Sequence, residues 1–248
     1  MNKLSLLLAL TIFSGAALAF KSHNTEYEVF WGDRSVGTLA VEATAGEDTA
    51  TVVSKLNAHG IAAAVMPGTR TQTSQFIKAD GDWQQQSLLA TRTKRVKVGL
   101  RGSREEEAVM NTIEFDHANG KAVATEKKDT VTLEVDAKTA DRQSLMLLVT
   151  ERWKAASEEE RKAGIPYTFI NGIKLRTYTF REVRTETLET DVGTFNAVKL
   201  VHGSEDDKHT VVWLAEELDY FPVGFDKARP RSKGVSVTTR ISQLPEFK

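Results

Sequence analysis

The 248-residue chain contains no cysteine. That excludes disulfides, a cysteine nucleophile and a lipid anchor on a cysteine, so stability has to come from an apolar core. It also lacks a charge of one sign. Removing Lys3 with the N-terminal segment described below leaves 32 basic residues against the 34 acidic ones, a formal charge of −2. Such near-balance gives no reason to expect nucleic acid or an anionic membrane as an overall partner. After the first 19 residues no apolar run approaches membrane-spanning length. There is no repeat, low-complexity linker or composition shift, so residues 20–248 read as one domain. The chain has no G-x-S-x-G, G-x-G-x-x-G, P-loop or H-E-x-x-H. Ser, Asp and His occur in no spacing that marks a triad. A triad is defined in space, so this weakens an enzymatic reading without closing it.

What is present begins with an address. Lys3 precedes the apolar stretch Leu4 to Phe13, and "SGAALA" follows. Ala17 and Ala19 put small residues three and one positions before a cut, as signal peptidase requires. Residues 1–19 are therefore expected to be a signal peptide, with a soluble periplasmic product starting at Phe20.

Most of the remaining chain reads as β. Tyr27, Val29 and Trp31 alternate on one face of "EYEVFWG", and "GDRS" turns the chain into Val36–Ala43. Further strands are expected at Ala50–Ala58, Thr71–Ala79, Trp83–Val98, Glu106–Phe115, Lys121–Ala124, Thr130–Val135, Ile173–Thr187, Thr194–His202, Lys208–Leu214 and Val235–Ile241. The connections "DGD", "DHANG" and above all Asn171-Gly172 carry hairpin chemistry, because they tolerate positive φ. "HGIAAAVMPG" is small, apolar and long enough for one or two helical turns. Asp141 to Ala156 is the one plainly helical segment. Leu145, Leu148, Val149, Arg152 and Ala156 share a face, with Met146 and Trp153 beside it and Asp141 as N-cap. "SEEERKAG" adds a further turn. The expected fold is mainly β (α+β): a strongly curved antiparallel sheet or open barrel wrapped around one amphipathic helix.

Several constellations could carry chemistry. "VVWLAEELDYFPVGF", Val211 to Phe225, sets Glu216, Glu217 and Asp219 between Trp213 and Tyr220. The alternation breaks at "AEELD", so the acids read as a solvated turn between two strands rather than a buried acid–base pair. His202 and His209 flank "GSEDDK"; facing each other with Asp206 or Asp207 they would suit a divalent metal. The commoner meaning of that spacing is a solvated hairpin end, so no metal or cofactor is expected. His23, His59 and His117 read as structural or exposed. Arg92 to Arg104, "RTKRVKVGLRGSR", could meet an anionic envelope polymer, although Glu105–Glu107 offset it and a lysine-rich edge strand is its ordinary meaning. An apolar ligand, a lipid or lipoprotein acyl chain, would lie between the helix and the sheet. Trp31, Leu145, Val149, Trp153, Trp213 and Phe225 are the candidate contacts. The competing class is an envelope hydrolase or metal-dependent enzyme using carboxylates or the His202/His209 pair. A monomer is expected in either case.

The stretches "YEVFWGDRSVGTLAVEA", "IEFDHANGKAV", "PYTFINGIKLRTYTFREVRTETLETDVGTFNAVKL" and "TVVWLAEELDYFPVGF" together resemble the bacterial family called domain of unknown function 3108. The likeness runs in order from Tyr27 to Ile241. Its most specific pieces are Thr190–Lys199 and Trp213–Val223. At the helix start the family tends to read Asp-Pro-Leu-Ser and this chain reads "DRQS". The resemblance implies an exported, mainly periplasmic protein of Gram-negative bacteria. It implies no reaction and no catalytic residues. The Trp…Pro-Val run is also similar to the end of half-barrel lipoprotein carriers, an analogy of fold alone.

Overall fold

The computed structural model describes residues 21–98, 102–204, 209–228 and 236–247. The expected signal peptide lies outside them, as do Asp206, Asp207 and residues 99–101 of the basic stretch. The first half of the chain is a meander: β1 (His23–Trp31), β2 (Arg34–Ala45), β3 (Thr49–Ala58), the short helix α1 (Gly60–Val65), β4 (Thr69–Ala79), β5 (Asp82–Val98), β6 (Gly102–Asp116), β7 (Lys121–Glu126) and β8 (Asp129–Glu134). The second half has a two-residue strand β9 (Ala140–Asp141), helices α2 (Leu145–Ala155) and α3 (Glu158–Ala163), and then β10 (Ile165–Asn171), β11 (Lys174–Thr190), β12 (Gly193–Gly203), β13 (His209–Ala215), β14 (Phe221–Ala228) and β15 (Val237–Phe247).

All fifteen strands belong to one open sheet, ordered β8-β7-β6-β5-β4-β3-β2-β1-β15-β14-β13-β12-β11-β10-β9. The two meanders meet at an antiparallel seam where Tyr27 of β1 faces Ile241 of β15. Turn chemistry sets the local registers. Asp80 (φ 53°) and Gly81 (φ 85°) form the two-residue loop between β4 and β5, both in the left-handed region that this loop demands. In the Asn171-Gly172 hairpin the loop residues are Gly172 and Ile173, with Asn171 the last paired residue of β10. The turn is therefore shifted one residue from the Asn-Gly pattern, and Gly172 alone supplies the positive φ.

Bulges curl the sheet and aim side chains. One sits where Gln75 faces Ser87 but Phe76 faces Gln85. Ser74, Phe76 and Gln85 are all buried there, turned toward β9. The far edge of the second meander rolls onto this face: Ile170 of β10 packs with Leu88, Ile113, Ala122 and Ala124 of β5–β7. The roll is sealed by side chains, not by main-chain pairing of β8 with β9.

Helix α2 lies inside the roll and touches both halves. Leu145, Val149 and Trp153 pack with Val198, Leu200, Val212 and Leu214. Leu148 packs the other way, with Ala43, Ala50, Val52 and Phe76. Strand β13 is buried on both faces. Val212 and Leu214 meet α2, while Val211, Trp213 and Ala215 join a second cluster with Tyr27, Val223 and Ile241. The helix proper starts at Leu145 with Ser144 as N-cap, three residues after the N-cap that its sequence pattern suggests, Asp141. Asp141 is strand there, and its carboxylate accepts from the N–H groups of Gln143 (2.6 Å) and Ser144 (3.0 Å), organising the turn that leads in. Arg152 is not core: it lies over the Tyr167 ring at 5.2 Å and donates to the Lys138 carbonyl. The "SEEERKAG" segment is α3, with a complete capping box between Ser157 and Glu160.

Candidate functional site

The turn after β13 is where sequence chemistry and strain coincide. Glu216 to Leu218 form one 3-10 turn. Glu216 accepts from the Asn196 side chain (2.7 Å) and Glu217 from the Asn196 N–H (2.9 Å), so both acids tie the turn to β12. Asp219 (φ 55°) and Tyr220 (φ 62°) follow, two successive non-glycine residues in the left-handed region. Each such residue costs roughly 1–2 kcal/mol and persists only where its surroundings enforce it. Here the Tyr220 N–H donates to Ala215 (2.7 Å), Thr150 of α2 donates to the Tyr220 carbonyl (3.2 Å), and the Tyr220 ring lies 4.6 Å from that of Trp153. Asp219 is ion-paired with Lys154 at 2.6 Å and with Lys21 at 3.5 Å.

Those contacts form one wall of a cleft of about 60 Å³ at the seam between the meanders. Lys21 and His23 contribute from the start of β1, and Leu147, Thr150, Glu151 and Lys154 from α2. Leu218, Asp219, Phe221 and Pro222 contribute from the β13–β14 connection, and Phe247 from the end of β15. The floor is apolar and the rim is charged. The space holds a few water molecules or the tip of a small apolar group, not a whole acyl chain.

Two groups in this cleft are poorly satisfied. His23 is 3% exposed, wedged edge-on against Phe221 at 5.0 Å. Its Nδ1 donates to the Lys21 carbonyl (2.8 Å), which leaves Nε2 as a buried acceptor with no partner. Burial lowers its pKa, so the ring is neutral at pH 7. Glu151 is pushed up to about 7, first by burial; Asp219 raises it further, while Lys154 and Lys21 pull it down. Asp219 goes the other way, held below the usual carboxylate range chiefly by its hydrogen bond from Lys154. Two carboxyls with opposed protonation preferences thus share one cleft with a neutral imidazole and two ammonium groups.

The residues expected to hold an apolar ligand are dispersed differently. Leu145, Val149 and Trp153 are 5%, 0% and 3% exposed and packed together, with Phe225 against the same cluster. Trp213 belongs to the opposite face of β13, where its Nε1 donates to Glu186 (2.7 Å) and Arg240 lies 4.5 Å over its ring. Trp31 is 51% exposed at the tip of β1. His202 faces Thr210 and His209 faces Gly203, so the two rings leave the hairpin on opposite faces. His202 stacks on Tyr178 at 4.1 Å. Among the described residues no three His, Asp or Glu side chains gather as a metal site. The basic stretch forms the β5–β6 arm, where Arg95 faces Glu105 and Lys94 faces Glu106. His59 sits near Glu28 (3.5 Å), and His117 stacks on Phe115 at 5.4 Å.

Sequence reasoning took His23 as structural or exposed and did not reach Glu151 and Lys154. The only signal was local: Glu151 lies in "LVTERW" between the buried Thr150 and Trp153. Among the described residues no helix is long and apolar enough to cross a membrane.

An open, coiled, mainly antiparallel sheet closed by side chains around a helix, with a cleft at its central seam, defines a β-barrel-like class. A match over residues 26–228 shows that the chain belongs to the family described as "Protein of unknown function (DUF3108)". No curated protein matches it. Among solved structures it is similar to a β-barrel-like protein of the domain of unknown function DUF1849 from Brucella abortus. The TM-score is 0.51 at 10% identity, over 92% of this chain and 98% of that one. At that identity the likeness is one of fold alone.

Proposed function

We propose that this is a non-enzymatic, monomeric binding protein of the periplasm that takes the apolar end of a lipid-like or acylated ligand at the seam cleft. The observation that carries this reading is the unpartnered, buried Nε2 of neutral His23 above an apolar floor. An empty polar position in an apolar cleft is what orients a ligand. Because Leu145, Val149 and Trp153 are packed together, this reading puts the acyl site in the cleft rather than the helix–sheet interior, with room for a chain terminus or a branched tip. The periplasmic address rests on the signal peptide expected at residues 1–19. N-terminal sequencing of the mature protein tests it, and a product that keeps Met1 overturns it.

Displacement of a fluorescent fatty acid from the purified protein tests the site. Saturable displacement that Leu147→Trp abolishes, with the melting temperature retained, is the expected result. No saturable binding by the parent protein removes the reading. A second reading is favoured by one observation, the opposed pKa shifts of Glu151 and Asp219, since such a split assigns acid and base roles in hydrolases. Turnover of chromogenic ester, phosphate or glycoside substrates, lost in Glu151→Gln, would select it.

A further inference from the structure

A second feature lies away from the cleft, at the end of the first meander where β1 turns into β2 and β3 reaches β4. Antiparallel order puts these two connections side by side. The second holds α1, which is unusual in being apolar on its outside. Ile61 is 67% and Val65 75% exposed, with only Ala62 buried. The helix is fixed rather than loose. The His59 N–H donates to Val36 (2.9 Å), and His59 Nε2 meets the Ser35 hydroxyl at 3.0 Å. At its exit Gly68 presses so close to β5 that an added Cβ would lie 1.9 Å from the Thr93 carbonyl, and its φ of 89° also demands glycine. Trp31, 51% exposed, crowns the neighbouring β1–β2 tip beside Arg34.

At the start of α1 His59 meets Glu28 at 3.5 Å, while the exit of the helix is flanked by arginines. Arg70 of β4 faces Arg92 of β5 directly across the strands. Like charges directly opposite are destabilising in a sheet. Neither arginine forms an ion pair among the described residues, and Arg92 instead donates to the Pro67 carbonyl (2.9 Å), at the exit of α1. Two arginines on facing residues, neither ion-paired to a carboxylate among the described residues, suit the bidentate recognition of phosphate. The outer part of the β5–β6 arm does not add to this, because its cations face Glu105 and Glu106.

We propose that this end of the molecule docks on an anionic lipid surface, with Ile61, Val65 and Trp31 entering the interface and the Arg70–Arg92 pair seated on lipid phosphates. Apolar residues and an amphipathic aromatic ring beside unpaired arginines are the composition that binds the headgroup region. The docking is independent of the cleft: the crest uses no residue that lines it. It would hold the protein against a membrane while the cleft at the seam stays open to solvent.

Vesicle flotation of the full mature chain tests this, with vesicles of phosphatidylcholine alone and of phosphatidylcholine with phosphatidylglycerol. Binding to the phosphatidylglycerol vesicles is expected, falling with salt and accompanied by a blue shift of tryptophan emission that is absent in Trp31→Phe. Ile61→Asp combined with Val65→Asp should weaken partitioning at least about tenfold, and Arg70→Gln several-fold, from the lost apolar burial and phosphate contact. These side chains are exposed, so thermal melts should be unchanged and misfolding is thereby controlled. No binding to either vesicle overturns the proposal, as does binding that the Asp variants leave intact. A concentration-dependent dimer lost in Ile61→Asp would overturn it in favour of self-association.

Discussion

Asp141 just precedes helix α2 and Glu151 lies within it, and both carboxyls are withdrawn from bulk water. Asp141 is 1% exposed and surrounded by donors. Ser74, Gln85 and Ser144 donate to its Oδ2 at 2.6, 2.6 and 2.7 Å, and the N–H groups of Gln143 and Ser144 donate to its Oδ1. Gln85 returns the favour by accepting from the Asp141 N–H at 2.7 Å. This carboxyl is a bolt: it ties the edge strand β9 to β4 and β5 and so holds the roll shut. Glu151 receives no hydrogen bond among the described residues, and burial with a nearby Asp219 drives it toward protonation. The same functional group is an anchor point where donors converge on it and is pushed toward protonation where they do not.

Breaking the bolt should have the largest effect. Asp141→Ala leaves the Ser74 and Ser144 hydroxyls buried without an acceptor and Gln85 with the Ser87 carbonyl alone, and is expected to cost about 3–5 kcal/mol in urea unfolding, with Asp141→Asn costing less. Next comes the helix that carries Glu151 and follows Asp141. Leu148→Ala removes its contact with the first meander and should cost about 3 kcal/mol, near the middle of the usual range for buried leucines. It should do so without altering the pH dependence of stability. The smallest effect sharpens the contrast. Glu151 has a folded pKa of about 7, above its unfolded value of 4.5. Its contribution is therefore fully present below pH 4.5 and lost as the pH rises through 7. Glu151→Gln should leave stability nearly unchanged at pH 4 and raise it at pH 8. Solvent at the cleft mouth screens the charge, so the gain is about 1–2 kcal/mol rather than the full value of the shift. An equal effect at both pH values would show that Glu151 is not desolvated.

The fold was legible because its signals are local. Alternation along strands, Asp-Gly turns and the spacing of Leu145, Val149 and Trp153 each follow from periods of two and 3.6 residues. The position of the helix start was not, because Asp141 has the side chain of an N-cap yet spends it on Gln85 and Ser74, residues supplied by a distant bulge. Of the "DRQS" segment, the two residues that match the family's usual Asp-Pro-Leu-Ser are the two that hydrogen-bond each other. The cleft was not legible at all. His23, Glu151, Asp219 and Phe247 lie on four separate elements, and only the β1–β15 seam brings them together. Nothing in the sequence near His23 marks its Nε2 as orphaned.

That seam also sets an order in time. Every neighbouring pair of strands in the sheet is consecutive in the chain except one, β1 with β15. As the chain is made, each meander can zip up beside the strand just finished, but the outer edge of β1 stays bare until the last strand arrives. Closing so long a loop is not the obstacle, since doubling its length adds only about 0.6 kcal/mol of entropic cost. The delay is one of sequence alone. His23 then waits for Phe247, its partner across the seam, and the cleft is the last part of the molecule to exist. A chain stopped before Val237 would keep both meanders and lack the seam, so the presence of the cleft reports on completed synthesis as well as on correct folding.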